Sequence, residues 1–363
     1  MAEQKRIRPM SFPEEPDGPV MLEYVMVDFT KLNMTTRTWV ENFEPQSVED
    51  CQIRVISQYE TSDQSVPSVD IGMRPVFMCK DPFRQGRHKL VLCEPFYLEN
   101  DDKRFEWNTR AKCVDMQKKV NDLEPLYAFE QEYYVVDENG IPLDMYSDTK
   151  GRDYDNEMDV GKYSAIERDL AETHLRACIY AGLKISGMNR ECHPSEWEYQ
   201  VGPLSAVDVC DQVVMSRYIL RRLAEMNQIE ITFINPECTR DTDCRSALHL
   251  NFSTHDMRGD NGMEHINKII ENLRKYPQEK LFKYYGSPVG LDIYWFLSGE
   301  CYMPVHDQFV AGTDKVLSSI RIPLKCVKEG KGYVEERRPM SNADPYEVCV
   351  AFTQSALSEA NGL

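Results

Sequence analysis

Positive charge is scarce in this sequence: 42 Lys and Arg stand against 60 Asp and Glu in 363 residues, a formal net charge of −18. A surface that acidic repels phosphate backbones and argues against nucleic acid as a main partner. Long apolar runs are missing as well; none approaches the roughly 18 residues that a membrane-spanning helix needs. The opening MAEQKRIRPMSFPEEP has neither the apolar stretch of a secretion signal nor the Arg/Ser-rich, acid-poor make-up of a transit peptide. No two of the twelve cysteines are spaced C-x-x-C, which in a long chain favours free thiols in a reducing compartment over disulfide staples or a zinc site. The seven histidines form no H-E-x-x-H, and there is no G-x-x-x-x-G-K-[ST], G-x-G-x-x-G or G-x-S-x-G. The common nucleotide and hydrolase signatures are therefore absent. What is present is 42% hydrophobic residues, enough for a core, in a length that suggests two domains. The expectation is a soluble, cytoplasmic protein with no nucleic-acid or membrane partner.

Residues 1–17 are polar and proline-bearing and read as a loose arm. Met21–Phe29 (MLEYVMVDF) and Lys89–Leu98 (KLVLCEPFYL) read as strands, with Ser57–Ser68 a polar loop between them. The charged stretch Glu99–Arg104 marks a boundary, giving a small β-rich domain over 18–100 and a larger one over 101–363. In the larger part, Tyr127–Asp137 reads as a strand, and Glu138-Asn139-Gly140 as a hairpin turn. Ser164 and Glu167 have capping-box spacing ahead of a helix whose buried stripe is Ile166, Leu170, Ala177 and Ala181. Ser195–Val201 alternates like a strand, whereas Ser205–Asn227, Asn261–Tyr276 and Asp344–Glu359 have helical spacing. Alternating strands among helices predict an α+β fold, its antiparallel sheet presenting one working face.

Carboxylates concentrate on that face. Residues i and i+2 of a strand share a side. Glu130 and Glu132 therefore face together, as do Glu196, Glu198 and Gln200, and as do Tyr333, Glu335 and Arg337. Two readings stand. Surface glutamates are ordinary, and the acids can simply meet water. Alternatively, several carboxylates with His249, inside the apolar run Leu248–Phe252, suit hard divalent cations such as Mg²⁺ or Mn²⁺. Two such ions about 4 Å apart can clamp a transferring phosphoryl group.

The strings EQEYYVVD, EWEYQVGP, HLNFST, SSIRIP and GYVEERRP, in this order, resemble glutamine synthetase of the eukaryotic type, as do KDPFRQGRHKLVLCE ahead of them and RACIYAGLKISGMNRE among them. The likeness runs from about Glu23 to beyond Pro345. It implies a small N-terminal β-grasp-like domain and a larger catalytic domain with an antiparallel sheet flanked by helices, the subunits forming stacked rings with shared active sites. It implies ATP-dependent ligation of ammonia to glutamate through an acyl phosphate. By position, Glu132, Glu191 and Glu198 match the ligands of one metal, and Glu130, His249 and Glu335 those of the ATP-side metal. Arg321 and Arg337 match phosphate-contacting arginines, a role their forked donors suit. Asn251, Ser253, Arg258 and Tyr333 match nucleotide-pocket residues. The implied cofactors are two Mg²⁺ or Mn²⁺ ions, with ATP as co-substrate.

The other half of the family's site does not match. Its Asn-Gly-Ala-Gly loop falls on Cys244-Arg245-Ser246-Ala247, where glycine's conformational freedom is lost. Its Arg-Arg pair falls on Trp295-Phe296, and its flap Phe-His-Glu-Thr on Glu300-Cys301-Tyr302-Met303. Tyr302, with an ordinary pKa of about 10, cannot replace the flap Glu as proton acceptor near neutral pH. A further phosphate-binding Arg falls on Val316, the adenine-stacking Trp on Leu126, and the Asp of the neighbour's ammonium pocket on Ser57. Glu300 or Asp63 would have to shift to substitute. Losing one preorganised charge contact commonly costs ~10²–10³ in rate. The sequence therefore predicts a metal-binding family member in which glutamine synthesis is weak or lost, in homo-oligomeric rings or co-assembled with a working paralogue. Two other readings remain open. One is a working ligase, either for glutamate and ammonia or for another acid or amine, with Trp295, Phe296 and Tyr302 lining a more apolar pocket. The other is a ring-forming scaffold.

Overall fold

The computed structural model describes residues 17–28, 33–59, 68–98, 105, 108–146, 165–191, 193, 195–236, 246–286, 309–313 and 318–357. The proposed boundary segment 99–104 and most of the 1–17 arm lie outside these residues.

The first strands are β1 (Val20–Asp28), β2 (Asn33–Glu41), β3 (Arg54–Tyr59), β4 (Ser68–Lys80) and β5 (Lys89–Tyr97). They form one sheet in the order β2-β1-β5-β4-β3. Apolar β1 and β5 lie inside and pair in parallel, and polar β2 and β3 take the edges. The Ser57–Ser68 loop reading is corrected at both ends, since β3 runs to Tyr59 and β4 starts at Ser68. Arg-Val-Ile-Ser-Gln-Tyr carries too little apolar alternation to announce itself, and its pairing with β4 supplies the order.

The second sheet uses β6 (Leu126–Val136), β7 (Ile185–Arg190), β8 (Glu196–Leu204), β9 (Glu230–Thr232), β10 (Leu248–Ser253), β11 (Ala311–Gly312), β12 (Ile320–Arg321) and β13 (Val334–Glu336). Its order is β11-β12-β13-β10-β6-β8-β7, with β9 also on β6. Every pairing is antiparallel except β11–β12. The helices are α1 (Thr109–Val120), α2 (Ala165–Ala181), α3 (Ala206–Asn227), α4 (His255–Arg258), α5 (Gly262–Lys275), α6 (Gln278–Phe282), α7 (Leu324–Glu329) and α8 (Pro345–Leu357). The architecture is the mixed α+β fold expected, with an N-terminal sheet beside the larger one.

Two details of α2 depart from expectation. Ile166 is exposed and the buried stripe is Glu167, Leu170, Ala171, His174, Cys178 and Ala181, which keeps the predicted Leu170 and Ala181 and puts Glu167 and Cys178 where Ile166 and Ala177 were expected. The Glu167 carboxylate turns inward, accepting from Ser195 Oγ at 2.7 Å and Trp197 Nε1 at 3.2 Å. Ser164 lies outside the described residues. Where cysteines are described, they are buried free thiols.

The core lies between the sheets and the helices. Tyr127, Phe129 and Tyr133 of β6 and Trp197, Tyr199 and Val201 of β8 pack with α3 and α8, and Val25, Leu90 and Leu92 of the first sheet join the same cluster. Arg110 of α1 forks onto Asp211 of α3 at 2.8 and 2.9 Å. Tyr218 of α3 donates to buried Glu23 of β1. These aromatic residues occupy the odd positions of β6 and β8, so the even positions face away from the helical layer.

Candidate metal centre

Register decides what the even positions meet. Glu130 stands opposite His249 on β10 and Gln200 on β8, and Glu132 stands opposite Glu198. Asn251 faces Glu335, and Glu335 faces Arg321. Four neighbouring strands thus put Glu198, Glu130, Glu132, His249, Asn251 and Glu335 on one face. The β7–β8 hairpin adds Glu191, whose amide donates to the Glu196 carbonyl at 2.9 Å.

Two groups of ligand atoms form, each drawn within 4.8 Å of one another: Glu130 with Glu198 and His249, and Glu132 with Glu191 and Glu198. His249 Nδ1 lies 3.5 Å from Glu130, 3.8 Å from Glu132 and 3.7 Å from Glu335. All six residues singled out in the sequence therefore meet in one place, with Glu198 common to both groups. The donor set, carboxylate oxygens with one imidazole, fits hard divalent ions.

Each acid has defined support. Asn251 Nδ2 donates to Glu130 at 2.7 Å, and Gln200 Nε2 donates to Glu198. Asn189 Nδ2 donates to Glu191 at 2.9 Å. Ala247 N–H donates to Glu132 Oε2 at 2.5 Å, while the Glu132 amide returns a bond to the Ala247 carbonyl at 3.1 Å. On the core side of β6, Gln131 is held by Arg217 Nε at 2.7 Å. The same guanidinium donates to the carbonyls of Ala343 and Ser341 at 2.9 and 3.0 Å, tying β6 to the segment that follows β13. Gln131, Arg217, Asn189, Gln200 and Ala247 were not given roles from sequence. Only tertiary pairing shows what an isolated amide or arginine touches.

The electrostatics are strongly one-sided. Burial, then the charges of Glu196, Glu191 and Glu198, holds the Glu132 carboxyl well above the usual range. Burial, then Glu130 and Glu191, pushes Glu198 up to about 9. Burial would raise Glu130 too, but hydrogen bonding and charge from His249, with Asn251 and Arg337, hold it below its ordinary value. Arg321 and Arg337 both bind Glu335, at 3.0 and 2.7 Å, and so leave the Glu132–Glu198 side without their charge. A divalent cation would remove that imbalance.

The nucleotide-pocket candidates extend along β10. Asn251 and Ser253 share His249's side, and Ser253 lies opposite Leu126. Arg258 Nη1 donates to Ser253 Oγ at 2.9 Å and Nη2 to the Glu124 carbonyl at 2.9 Å. Tyr333, at the entrance to β13, is 40% exposed. At the departures from the family pattern, Ser246 and Ala247 are buried and Ser57 donates to Asp70 at 2.5 Å across β3–β4. Asp63, Cys244, Arg245, Trp295, Phe296, Glu300, Cys301, Tyr302, Met303 and Val316 lie outside the described residues.

Fold and site together define an α+β protein with an antiparallel sheet whose open face gathers carboxylates and one imidazole. A family model described as the glutamine synthetase catalytic domain matches residues 109–273. The chain is 36% identical over 337 residues to a glutamine synthetase of Panulirus argus, covering 92% of this chain and 91% of that one. It is 34% identical over 347 residues to one of Gallus gallus, covering 94% and 91%. To a Drosophila melanogaster protein called glutamine synthetase 1, mitochondrial, it is 34% identical over 349 residues, covering 95% and 86%. The chain belongs to the glutamine synthetase family. Among the described residues no helix is long and apolar enough to cross a membrane.

Proposed function

We propose that this chain is a glutamine synthetase family member that keeps the cation-binding half of the site and makes little or no glutamine. One observation carries the first part: Glu130, Glu132, Glu191, Glu198, His249 and Glu335, from five separate strands or strand ends, converge on a common face. Glu132, Glu191 and Glu198 would hold one Mg²⁺ or Mn²⁺, and Glu130, His249 and Glu335 the other. When bound, such ions neutralise charge on a transferring phosphoryl group.

The protein's own groups fit around that chemistry. Arg321 and Arg337, fixed on Glu335, supply permanent positive donors suited to phosphate oxygens. Asn251 links Glu130 to the strand that continues to Ser253 and Arg258, which would receive the nucleotide. What supports the second part is the sequence: residues that in the family bind glutamate and accept ammonium's proton are replaced by Arg245, Trp295, Phe296 and Tyr302. The cytoplasm, and a ring of copies or a ring shared with a paralogue, complete this reading.

Purified protein incubated with ATP, glutamate, ammonium and Mg²⁺ or Mn²⁺ is expected to form little or no glutamine, and robust formation overturns the reading. ADP release that depends on another acid or amine, and is lost in Glu335→Ala, would establish an altered ligase instead.

A further inference from the structure

At the neck of the β7–β8 hairpin, the Glu191 amide bonds the Glu196 carbonyl at 2.9 Å, and the next pairs along are Arg190 with Trp197 and Asn189 with Glu198. Glu191 and Glu196 are therefore cross-strand partners, and such partners project to the same side of a sheet. On the other flank, Glu196 stands opposite Tyr134, two pairs beyond the Glu132–Glu198 pair. Period-two alternation puts Glu196 on the side of Glu198. Glu132, Glu191, Glu196 and Glu198 thus belong to one side of the sheet; the oxygens of Glu132, Glu191 and Glu198 lie within 4.8 Å of one another, and Glu196 stands just beside them, its charge the foremost of those acting on Glu132.

Glu196 is also incompletely satisfied. Its side chain is 3% exposed, and Oε2 accepts from His193 Nδ1 at 2.9 Å. Among the described residues, Oε1 is buried with no hydrogen-bond partner. An ionised carboxylate seldom keeps a bare, buried oxygen beside like charges unless something positive meets it. The backbone is shaped to hold it there: Ser195 adopts φ +61°, and the Glu196 amide returns to the His193 carbonyl at 3.2 Å.

We infer that Glu196, oriented by His193, is a fourth carboxylate for the cation held by Glu132, Glu191 and Glu198, a hard divalent ion. This rests on the cation site proposed above. His193 is the positioning residue, since its bond holds Oε2 and leaves Oε1, without a hydrogen-bond partner among the described residues, as the oxygen available to a cation.

The test is Mn²⁺ alone, titrated calorimetrically into the metal-stripped full chain, with thermal melts of the metal-free proteins. Glu196→Gln is expected to bind one Mn²⁺ roughly tenfold more weakly, and to melt higher than wild type when metal-free because one like charge is gone. His193→Gln is expected to weaken the same ion by a smaller factor. Unchanged Mn²⁺ binding in Glu196→Gln, with one ion lost in Glu132→Gln, overturns this inference and leaves the two-cation reading standing. A weaker site in a Glu196→Gln protein that also melts lower metal-free makes Glu196 a structural residue and overturns it too. If wild type binds no Mn²⁺, both fall.

Discussion

Glu132 and Glu198 stand directly opposite each other on β6 and β8, both nearly buried. Like charges in that position oppose folding, and a cation reverses the sign of their contribution. Metal-stripped protein should therefore gain stability on addition of Mg²⁺ or Mn²⁺, by about 2.7 kcal/mol at one hundred times the dissociation constant. Glu132→Gln should remove much of that gain. Differential scanning calorimetry with and without metal checks it, and a melt indifferent to both ions contradicts a cation cage.

Arg217 lies inside the molecule and satisfies Gln131, Ser341 and Ala343 together. Truncation takes the donor from Gln131 Oε1 and the Ala343 carbonyl, each costing about 1–3 kcal/mol, while the Ser341 carbonyl keeps its bond from Gln131 Nε2 at 2.9 Å. Arg217→Met is expected to lose about 3 kcal/mol or more in urea unfolding. Arg217→Lys should recover part of it, because an ammonium reaches fewer of those acceptors.

His174 is wholly enclosed by α2, α3 and β8. Its Nε2 meets the Ser216 carbonyl at 3.0 Å and Cys178 Sγ at 3.2 Å, and its ring lies 4.6 Å from Tyr199. Burial lowers its pKa from 6.5 to about 4, the Ser216 carbonyl acting the other way. The unfolded chain therefore takes up a proton that the folded one refuses. This residue's contribution is intact above pH 6.5 and is lost as the pH falls towards 4, by up to about 3 kcal/mol. Urea midpoints for His174→Gln should fall less steeply than those of wild type across that window.

Gly202 adopts φ +110°, and a Cβ there would lie 2.8 Å from the Tyr127 carbonyl oxygen and 3.0 Å from Ala128 Cα. Strain and backbone collision combine. Gly202→Ala should destabilise by about 2 kcal/mol or more in chemical unfolding, whereas Gly140→Ala, with open space around its Cβ and only a strained φ, should cost less.

The acid-bearing strands were legible because period two survives in short strings: Glu130 and Glu132 flank Gln131, and Glu196 and Glu198 flank Trp197. Which strands lie side by side is a tertiary fact, and the order β13-β10-β6-β8 was not readable from any one of them. Ile166 misled because an apolar residue at a helix entrance looks like core, while the true stripe carries Glu167 and His174, polar residues whose burial depends on distant partners such as Ser195, Trp197 and Ser216. β2 and β3 were missed as strands for a related reason. An edge strand with a solvated side needs few apolar residues, and its order comes from the neighbour it bonds.

β1 sits in the interior of the small sheet, bonded in parallel to β5, whose sequence begins some sixty residues later. On a ribosome, that arrangement forces a wait. β1, the first of the described strands to be made, has its hairpin partner β2 at once, but its other edge stays bare until residues 89–97 have emerged. During that interval a nascent apolar ribbon is open to any strand that arrives first, including one from a neighbouring nascent chain.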